Sequence, residues 1–363
     1  MMMSSGMLSL GVVPVRVVLS FAVVAALAAP AVSQEYSQLQ IGVRFDAAPF
    51  SYRDVDQRSE NLEDYKGYVV EVCKEVLKDM ILEKPFRNAV ISAKEVDTTT
   101  RFDELMADGG IDVLCGPASI TQDRVASHLV SMPIYLTGVA VAYPRIGETE
   151  ASSPFPYGSI CDRSIVGFVA NTTAEYPGVQ KMADENRFFR FSQIVSKLLN
   201  LTPAPAQTGY PLSVYGDLKG EKMESIDWTE ACDTTWTAPP IRAFKDHDTG
   251  LKALCDGSVL FYVADVDIIS QYLFDHRGNC DATLDRDVAF SEHYGIYFRK
   301  PDPASDEDFE RSLFLYAAFS RSLVKRVYSG EGVFERAFRT TFGTRERTVS
   351  LEQFFRSFST AQR

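Results

Sequence analysis

The alternation of strands and helices between residues 39 and 124 leaves this chain few architectures. Residues 39–45 alternate apolar and polar side chains and read as a strand, which Ala47-Ala48-Pro49-Phe50 breaks. Gly67 then opens an amphipathic helix over 69–82, with Val69, Val72, Cys73, Val76 and Met80 on one face. Residues 89–96 read as a second strand, 101–107 as a short helix and 111–114 as a third strand. Strands separated by helices imply a parallel α/β sheet, and ligands of such sheets gather at the strands' carboxyl ends. The third strand runs into IDVLCGPASITQDR at residues 111–124, where Gly116-Pro117 ends it. Ser119 and Thr121 follow with hydroxyls, and Arg124 lies about one helical turn beyond them. A guanidinium offers a planar two-pronged donor, and hydroxyls and backbone N–H groups supply the rest of a carboxylate site. The plain alternative is a surface arginine beside a turn serine.

Before Glu35 the only charge is Arg16, residues 17–31 form an apolar run, and Ala31-Val32-Ser33 are small. This pattern predicts a cleavable secretory signal over 1–33 rather than a membrane helix, which needs roughly 20 apolar residues. No cysteine stands at the cleavage point to make a lipoprotein. Cleavage leaves 363 − 33 = 330 residues, more than one compact core holds, so two lobes are expected. The net charge of −12, or −13 without Arg16, lacks the basic footprint of a nucleic-acid binder. The six cysteines are Cys73, Cys115, Cys161, Cys232, Cys255 and Cys280, with no CxxC. An even count in an exported chain favours disulfides. Cys255–Cys280 is the favoured pair, joining a helix to a nearby loop, and Cys73 and Cys115 read as buried thiols.

Further along, 139–143 is an extended run and 164–169 a strand. Asn171-Thr172-Thr173-Ala174-Glu175 looks like a helix start with a hydroxyl cap. Residues 251–254 and 260–264 form a helix–turn–strand unit ending at Asp265, 294–299 a returning strand, and 306–342 a helical tail. The segments APFSY, GYVVEV, TTRFDEL, IDVLCGPASITQDR, VGFVANTTAE, ALCDGSVLFYVAD, YGIYFRK and GEGVFERAFRTTFG occur in this order. Together they resemble the family 3 bacterial extracellular solute-binding proteins, the amino-acid receptors of ABC importers. The resemblance covers about residues 38–180 and 241–343 and departs at 182–240. That insert holds Trp228 and Trp236 and reads as an elaboration of the second lobe.

The resemblance implies the two-lobed periplasmic binding-protein fold (type II), α/β, each lobe a mostly parallel sheet flanked by helices. Lobe one would take residues 34–140 and 295–363, lobe two 141–294, with a hinge of crossing strands at 139–143 and 294–298. It implies that Arg124, with the Ser119 hydroxyl and N–H, binds a ligand carboxylate. Thr173, beside Thr172, adds its N–H and hydroxyl at the positive end of a helix. The Pro117 carbonyl and Asp265 would take the ligand ammonium; proline loses only an N–H. Phe102 would stack on the ligand, with core packing as the alternative. Arg44 falls where binders of basic amino acids carry an acid, which argues against lysine or arginine unless Asp46 cancels its charge. Tyr52 and Tyr135 are equally walls of the pocket or ordinary core. The expected protein is a periplasmic monomer that passes a small carboxylated solute to an ABC permease, without cofactor or metal.

Catalytic motifs are lacking: there is no GxSxG, P-loop or HExxH, and the four histidines share no metal spacing. The rival reading is a dehydratase-like enzyme on this fold, with Asp46, Asp265 or Glu292 as its acid or base. A further rival is a sensor or redox-associated binder that uses the insert to contact a partner.

Overall fold

The computed structural model describes residues 36–54, 58–145, 164–184, 241–300, 306–328 and 332–359. The expected signal over 1–33 and nearly all of the insert lie outside the described residues, as do Cys161 and Cys232. In chain order, β1 (Gln38–Val43), the ribbon β2 (Asp46–Ala47) and β3 (Ser51–Tyr52), α1 (Tyr68–Met80), β4 (Val90–Glu95) and α2 (Arg101–Met106) come first. There follow β5 (Val113–Leu114), α3 (Gln122–Ser127), β6 (Leu129–Val130), β7 (Tyr135–Pro144) and β8 (Ser164–Val169). An irregular π-type segment, Ala174–Val179, leads into the short α4 (Gln180–Asp184). Next are β9 (Ile241–Phe244), α5 (His247–Cys255), β10 (Val259–Asp265), α6 (Val266–Asp275) and β11 (Ala282–Tyr294). The chain closes with β12 (Tyr297–Phe298), α7 (Asp306–Val327), α8 (Val333–Phe342) and α9 (Val349–Ser359).

These strands make two five-stranded sheets, one per lobe. The first has the order β4-β1-β5-β12-β6, the second β11-β7-β10-β8-β9. Each has a parallel half, β4-β1-β5 and β10-β8-β9. Each has an antiparallel half where the connecting strands enter. The crossing run expected at 139–143 extends from Tyr135 to Pro144 in β7. Its antiparallel partner is β11, which pairs from Ala282↔Pro144 to Tyr294↔Tyr135. The returning strand expected at 294–299 shrinks to Tyr297–Phe298, because the ladder to β7 ends at Tyr294 and Gly295 turns the chain into the first sheet.

The helix α1 forms because its apolar residues recur at three- and four-residue spacing. Val69, Val72, Cys73, Val76, Leu77 and Met80 are all buried. Gly67 precedes it at φ 112, a conformation open to glycine, and a Cβ there would strike the Phe50 backbone. At the crossing, Phe50 packs edge-on against Tyr135 and Tyr294, with centroids 5.0 and 5.1 Å away. Tyr135 is therefore core, fully buried in an aromatic cluster that also holds Tyr68 and Phe342.

The buried thiols expected at Cys73 and Cys115 are instead joined in a disulfide, with Cα atoms 6.1 Å apart. The reason is positional: β5 ends at Leu114 beside the buried face of α1, so the two cysteines meet. Cys255 and Cys280 form a second disulfide, tying the end of α5 to the loop before β11.

Candidate functional site

Residues from both sheets converge on one small cavity. Arg44, Arg101, Pro117, Ser119 and Arg124 line it from the first-sheet side. Thr172, Thr173, His247, Asp265, Glu292 and Tyr294 line it from the second. Its free space is about 30 Å³, which at about one probe sphere per water admits only a water or two. A larger cavity of about 410 Å³ lies at the edge of the first sheet around Gln38, Asp112 and Arg311. Its Arg311–Asp112 ion pair satisfies itself at 2.9 Å, and none of the converging residues reaches it.

Local sequence fixes each first-sheet arginine. Arg44 leaves β1, its N–H donating to Ser51 Oγ at 2.9 Å. Asp46 follows two residues on at the start of β2, and Nε and Nη2 of Arg44 reach its two carboxylate oxygens at 2.7 and 2.5 Å. Both side chains are buried, and His247 N–H donates to the same carboxylate at 3.3 Å. Burial acts to raise the Asp46 pKa, but the Arg44 guanidinium outweighs it and holds the carboxyl at about 2. The charge of Arg44 is thus cancelled, and the argument from it against a basic ligand does not hold. Arg101 begins α2 after a turn in which Asp97 Oδ1 accepts from the N–H groups of Thr99 and Thr100 at 2.9 and 2.8 Å. Arg124 sits in the first turn of α3, where Thr121 Oγ1 accepts its backbone N–H at 3.3 Å.

The arginines reach across the cleft. Arg124 donates to Ser119 O at 2.9 Å and to Asn171 O at 3.4 Å, and Arg101 donates to the same Asn171 carbonyl at 3.1 Å. Ser119 Oγ lies 3.2 Å from Thr173 Oγ1, so hydroxyls of the two lobes touch directly. Thr173 does not cap a regular helix: Tyr176 is non-helical and Pro177 interrupts the segment, so no helix dipole backs this position. Phe102 lies outside the cavity lining. Its ring packs on His128 and Tyr297, at 5.0 and 5.3 Å, with the Arg124 guanidinium 4.9 Å from its centroid. The aromatic supports an arginine rather than offering a free face.

The second-sheet side carries carboxyls. Asp265, at the end of β10, caps α6 by accepting the Asp267 and Ile268 N–H groups at 2.8 and 3.2 Å on Oδ1. Its Oδ2 is hydrogen-bonded to the Tyr294 hydroxyl. Burial, reinforced by the neighbouring Asp267, pushes its pKa up to about 8. Glu292, on β11, is 6% exposed and faces Ser119, Thr173 and Arg124; its Oε1 has no partner among the described residues. Burial raises its pKa as well. His247 is neutral, its pKa driven down to about 3 by burial and by Arg44, and its Nδ1 lies 3.1 Å from the Tyr262 hydroxyl. Among the described residues no cluster of His, Cys, Asp and Glu has the arrangement to hold a metal ion. Sequence reasoning passed over Arg101 and His247. The spacing of Arg44 and Asp46 was a signal for their pairing, whereas nothing local marks Arg101 as buried.

Two α/β lobes, each with a mixed sheet, linked by paired crossing strands and closing on a polar cleft, define the two-lobed type II periplasmic binding-protein fold. The chain belongs to the bacterial extracellular solute-binding proteins, family 3, whose model matches residues 39–313. No curated protein matches it. Among solved structures it is similar to an ancestral arginine-binding protein bound to glutamine, at 15% identity and TM-score 0.52, over 85% of this chain and 100% of that one. An ABC uptake transporter substrate-binding protein from Streptococcus pneumoniae with bound histidine is similar at 13% identity and TM-score 0.51, over 85% and 93%. The arginine-, lysine-, histidine-binding protein ArtJ from Geobacillus stearothermophilus is similar at 15% identity and TM-score 0.50, over 87% and 100%. Among the described residues no helix is long and apolar enough to cross a membrane.

Proposed function

We propose that this chain is a periplasmic receptor that captures an amino acid or similar small carboxylated solute between its lobes. It then delivers that solute, as a monomer, to the permease of an ABC importer. The observation that carries the reading is the meeting of Arg124 and Ser119 with Thr173 at one buried point shared by both lobes. In this reading Arg124 and the two hydroxyls grip a carboxylate, and the Pro117 carbonyl and Asp265 face the ammonium. Thr172 and Arg44 complete the wall. Asp265 serves the ammonium only after releasing Tyr294 and its proton. A cavity of about 30 Å³ is too small for an amino acid, so the lobes must part to admit one, hinging on β7 and β11. Solved proteins of this fold that bind glutamine, arginine, lysine or histidine are in keeping with the ligand class.

The test is the thermal shift of the mature protein against amino acids, dicarboxylates, polyamines and aromatic carboxylates, with Arg124→Ala as control. A ligand at a hundredfold excess over Kd stabilises the folded state by about 2.7 kcal/mol. A shift lost in Arg124→Ala, with compaction in X-ray scattering, supports the receptor. No shift with any carboxylate overturns it.

One observation favours a second reading. Glu292 is a buried carboxyl with an unpartnered oxygen beside Arg124, the arrangement a general acid needs. A dehydratase-like activity on a carboxylated ring would show as water loss from the substrate, abolished in Glu292→Gln.

A further inference from the structure

We propose that Arg101 forms a second anion subsite in the cleft, so that the ligand is a small dicarboxylate; this deepens the receptor reading and rests on it. Arg101 is 2% exposed and lines the cavity. One of its five N–H donors is used, by Nη2 on Asn171 O, and Nε and Nη1 have no acceptor among the described residues. A buried guanidinium without acceptors is costly, and it cannot escape by losing its proton. Binding a carboxylate in the fork of Nε and Nη1 removes that cost.

The charges around it point the same way. Arg44 is neutralised by Asp46, but Arg101 and Arg124 share one neutral carbonyl and have no such carboxylate partner among the described residues. Arg124 and Arg44 both act on Arg101 as like charges, and Arg124 faces the single carboxyl of Glu292. Asp265 is held protonated by burial, so it adds little negative charge. The cleft therefore carries an excess of fixed positive charge. A monocarboxylate zwitterion would bring no net charge, whereas a dicarboxylate brings one anion for Arg124 and one for Arg101. Phe102 supports both arginines, with guanidinium carbons 5.2 and 4.9 Å from its ring centre, so the two forks are held together on one platform.

The experiment is calorimetric titration of the full mature protein with L-glutamate, L-aspartate and succinate, against L-glutamine, L-histidine and L-arginine, for wild type and Arg101→Gln. The expected result is a dicarboxylate bound at least 100-fold tighter than glutamine. Arg101→Gln should lose about 100-fold, or about 2.7 kcal/mol, on that ligand and lose less on glutamine, whose side-chain amide brings no charge. Tighter binding of L-glutamate than succinate would assign the ammonium a share; equal binding would make it a plain dicarboxylate site. Arg101→Lys keeps the charge but not the fork, and should lose affinity for the same ligand, which covers a misfolded glutamine variant. A monocarboxylate amino acid bound more tightly than every dicarboxylate overturns the second subsite and leaves the receptor standing. An equal loss on glutamine and dicarboxylate in Arg101→Gln also overturns it. No binding of any dicarboxylate overturns the second subsite, and the receptor reading falls with it only if the wider carboxylate panel is silent as well.

Discussion

On the first-sheet face of the cleft the buried ionisable groups are guanidiniums and the carboxylate of Asp46, and on the second-sheet face they are carboxyls and a histidine. The two sets meet burial in different ways. Arg44 keeps its charge because Asp46 joins it inside the protein, and Arg101 and Arg124 keep theirs against carbonyl oxygens. Among the described residues no cation is bonded to Asp265 or Glu292, and burial turns them toward their neutral forms instead. His247 likewise stays neutral. A buried arginine keeps its charge whether or not it meets a counter-charge, whereas a carboxyl or imidazole can discharge itself. The difference makes one face a fixed positive surface and the other a face whose charge depends on pH and on what enters the cleft.

The largest effect should come from removing the one internal anion on the basic face. Asp46→Asn keeps the shape and leaves Arg44 buried without a counter-charge, which costs about 3–5 kcal/mol. The denaturant midpoint reads this directly. Asp265→Asn on the opposite face should cost far less near pH 6, because the native carboxyl is already protonated there. Equal losses at the two positions would break the comparison. Next come the two disulfides among the described residues, one on each side. Cys73–Cys115 spans 42 residues and Cys255–Cys280 spans 25. Closing such loops restrains the unfolded chain by about 4 and about 3.5 kcal/mol. Double Ala variants under denaturation should rank in that order, and a loss of under about 1 kcal/mol for either would show that packing alone holds that side.

Much of this was legible in the sequence because the parallel halves of the sheets follow simple periods. Residues 39–45, 89–96 and 164–169 alternate or run apolar and became β1, β4 and β8, and the face of α1 was readable from Val69, Val72 and Val76. Arg124, Ser119, Thr173 and Asp265 stood out because motif positions at strand ends fall on a cleft in this fold. The strand β11 did not stand out. Its register shifts between Asp285 and Phe290, and the charged Asp285-Arg286-Asp287 breaks the apolar alternation. The helix α9 also escaped, because the helical tail read as ending at Gly343. Arg101 was hidden for a different reason. An arginine at a helix start looks solvated in sequence, whereas here it is buried with Asn171 of the second lobe and Phe102 beside it. Phe102, its neighbour, drew attention as a ligand platform and is instead a platform for the arginines.

A smaller effect sharpens the contrast through pH. Asp265 titrates near 3.8 unfolded and near 8 folded, so the native state retains a proton that the unfolded state has released. That contribution is complete below pH 4 and is lost as pH rises through 8. His247 runs the other way, losing stability as pH falls from 6.5 toward 3, and Asp46 only below 4. Between pH 6.5 and 8 the Asp265 side therefore acts without opposition from these two. Stability should fall by about 1–2 kcal/mol across that interval, and Asp265→Asn should flatten the fall. An unchanged slope in the variant would assign the effect elsewhere, to Glu292 first.

The smallest effect probes how the two faces are tied outside the cleft. Arg345, in the turn between α8 and α9, pairs with Asp267 at 3.1 Å and donates to Ser270 Oγ at 3.1 Å. Asp267 also accepts from Tyr135 and Thr137 at 3.2 Å, so one carboxylate links the C-terminal helices, the crossing strand β7 and α6. Arg345 is about one-third exposed, so Arg345→Ala should cost less than about 1 kcal/mol in low salt and less again in high salt, where the pair is screened. Its sharper readout is the pH slope. Burial already raises the Asp267 pKa and Arg345 opposes that rise. Removing the arginine leaves burial unopposed, so Asp267 should hold its proton to higher pH than in the wild type and the fall in stability with rising pH should steepen. A slope that instead flattened would mean that the cation, rather than burial, governs the carboxyl face. The contrast between a face of fixed charges and a face of discharged ones would then fail.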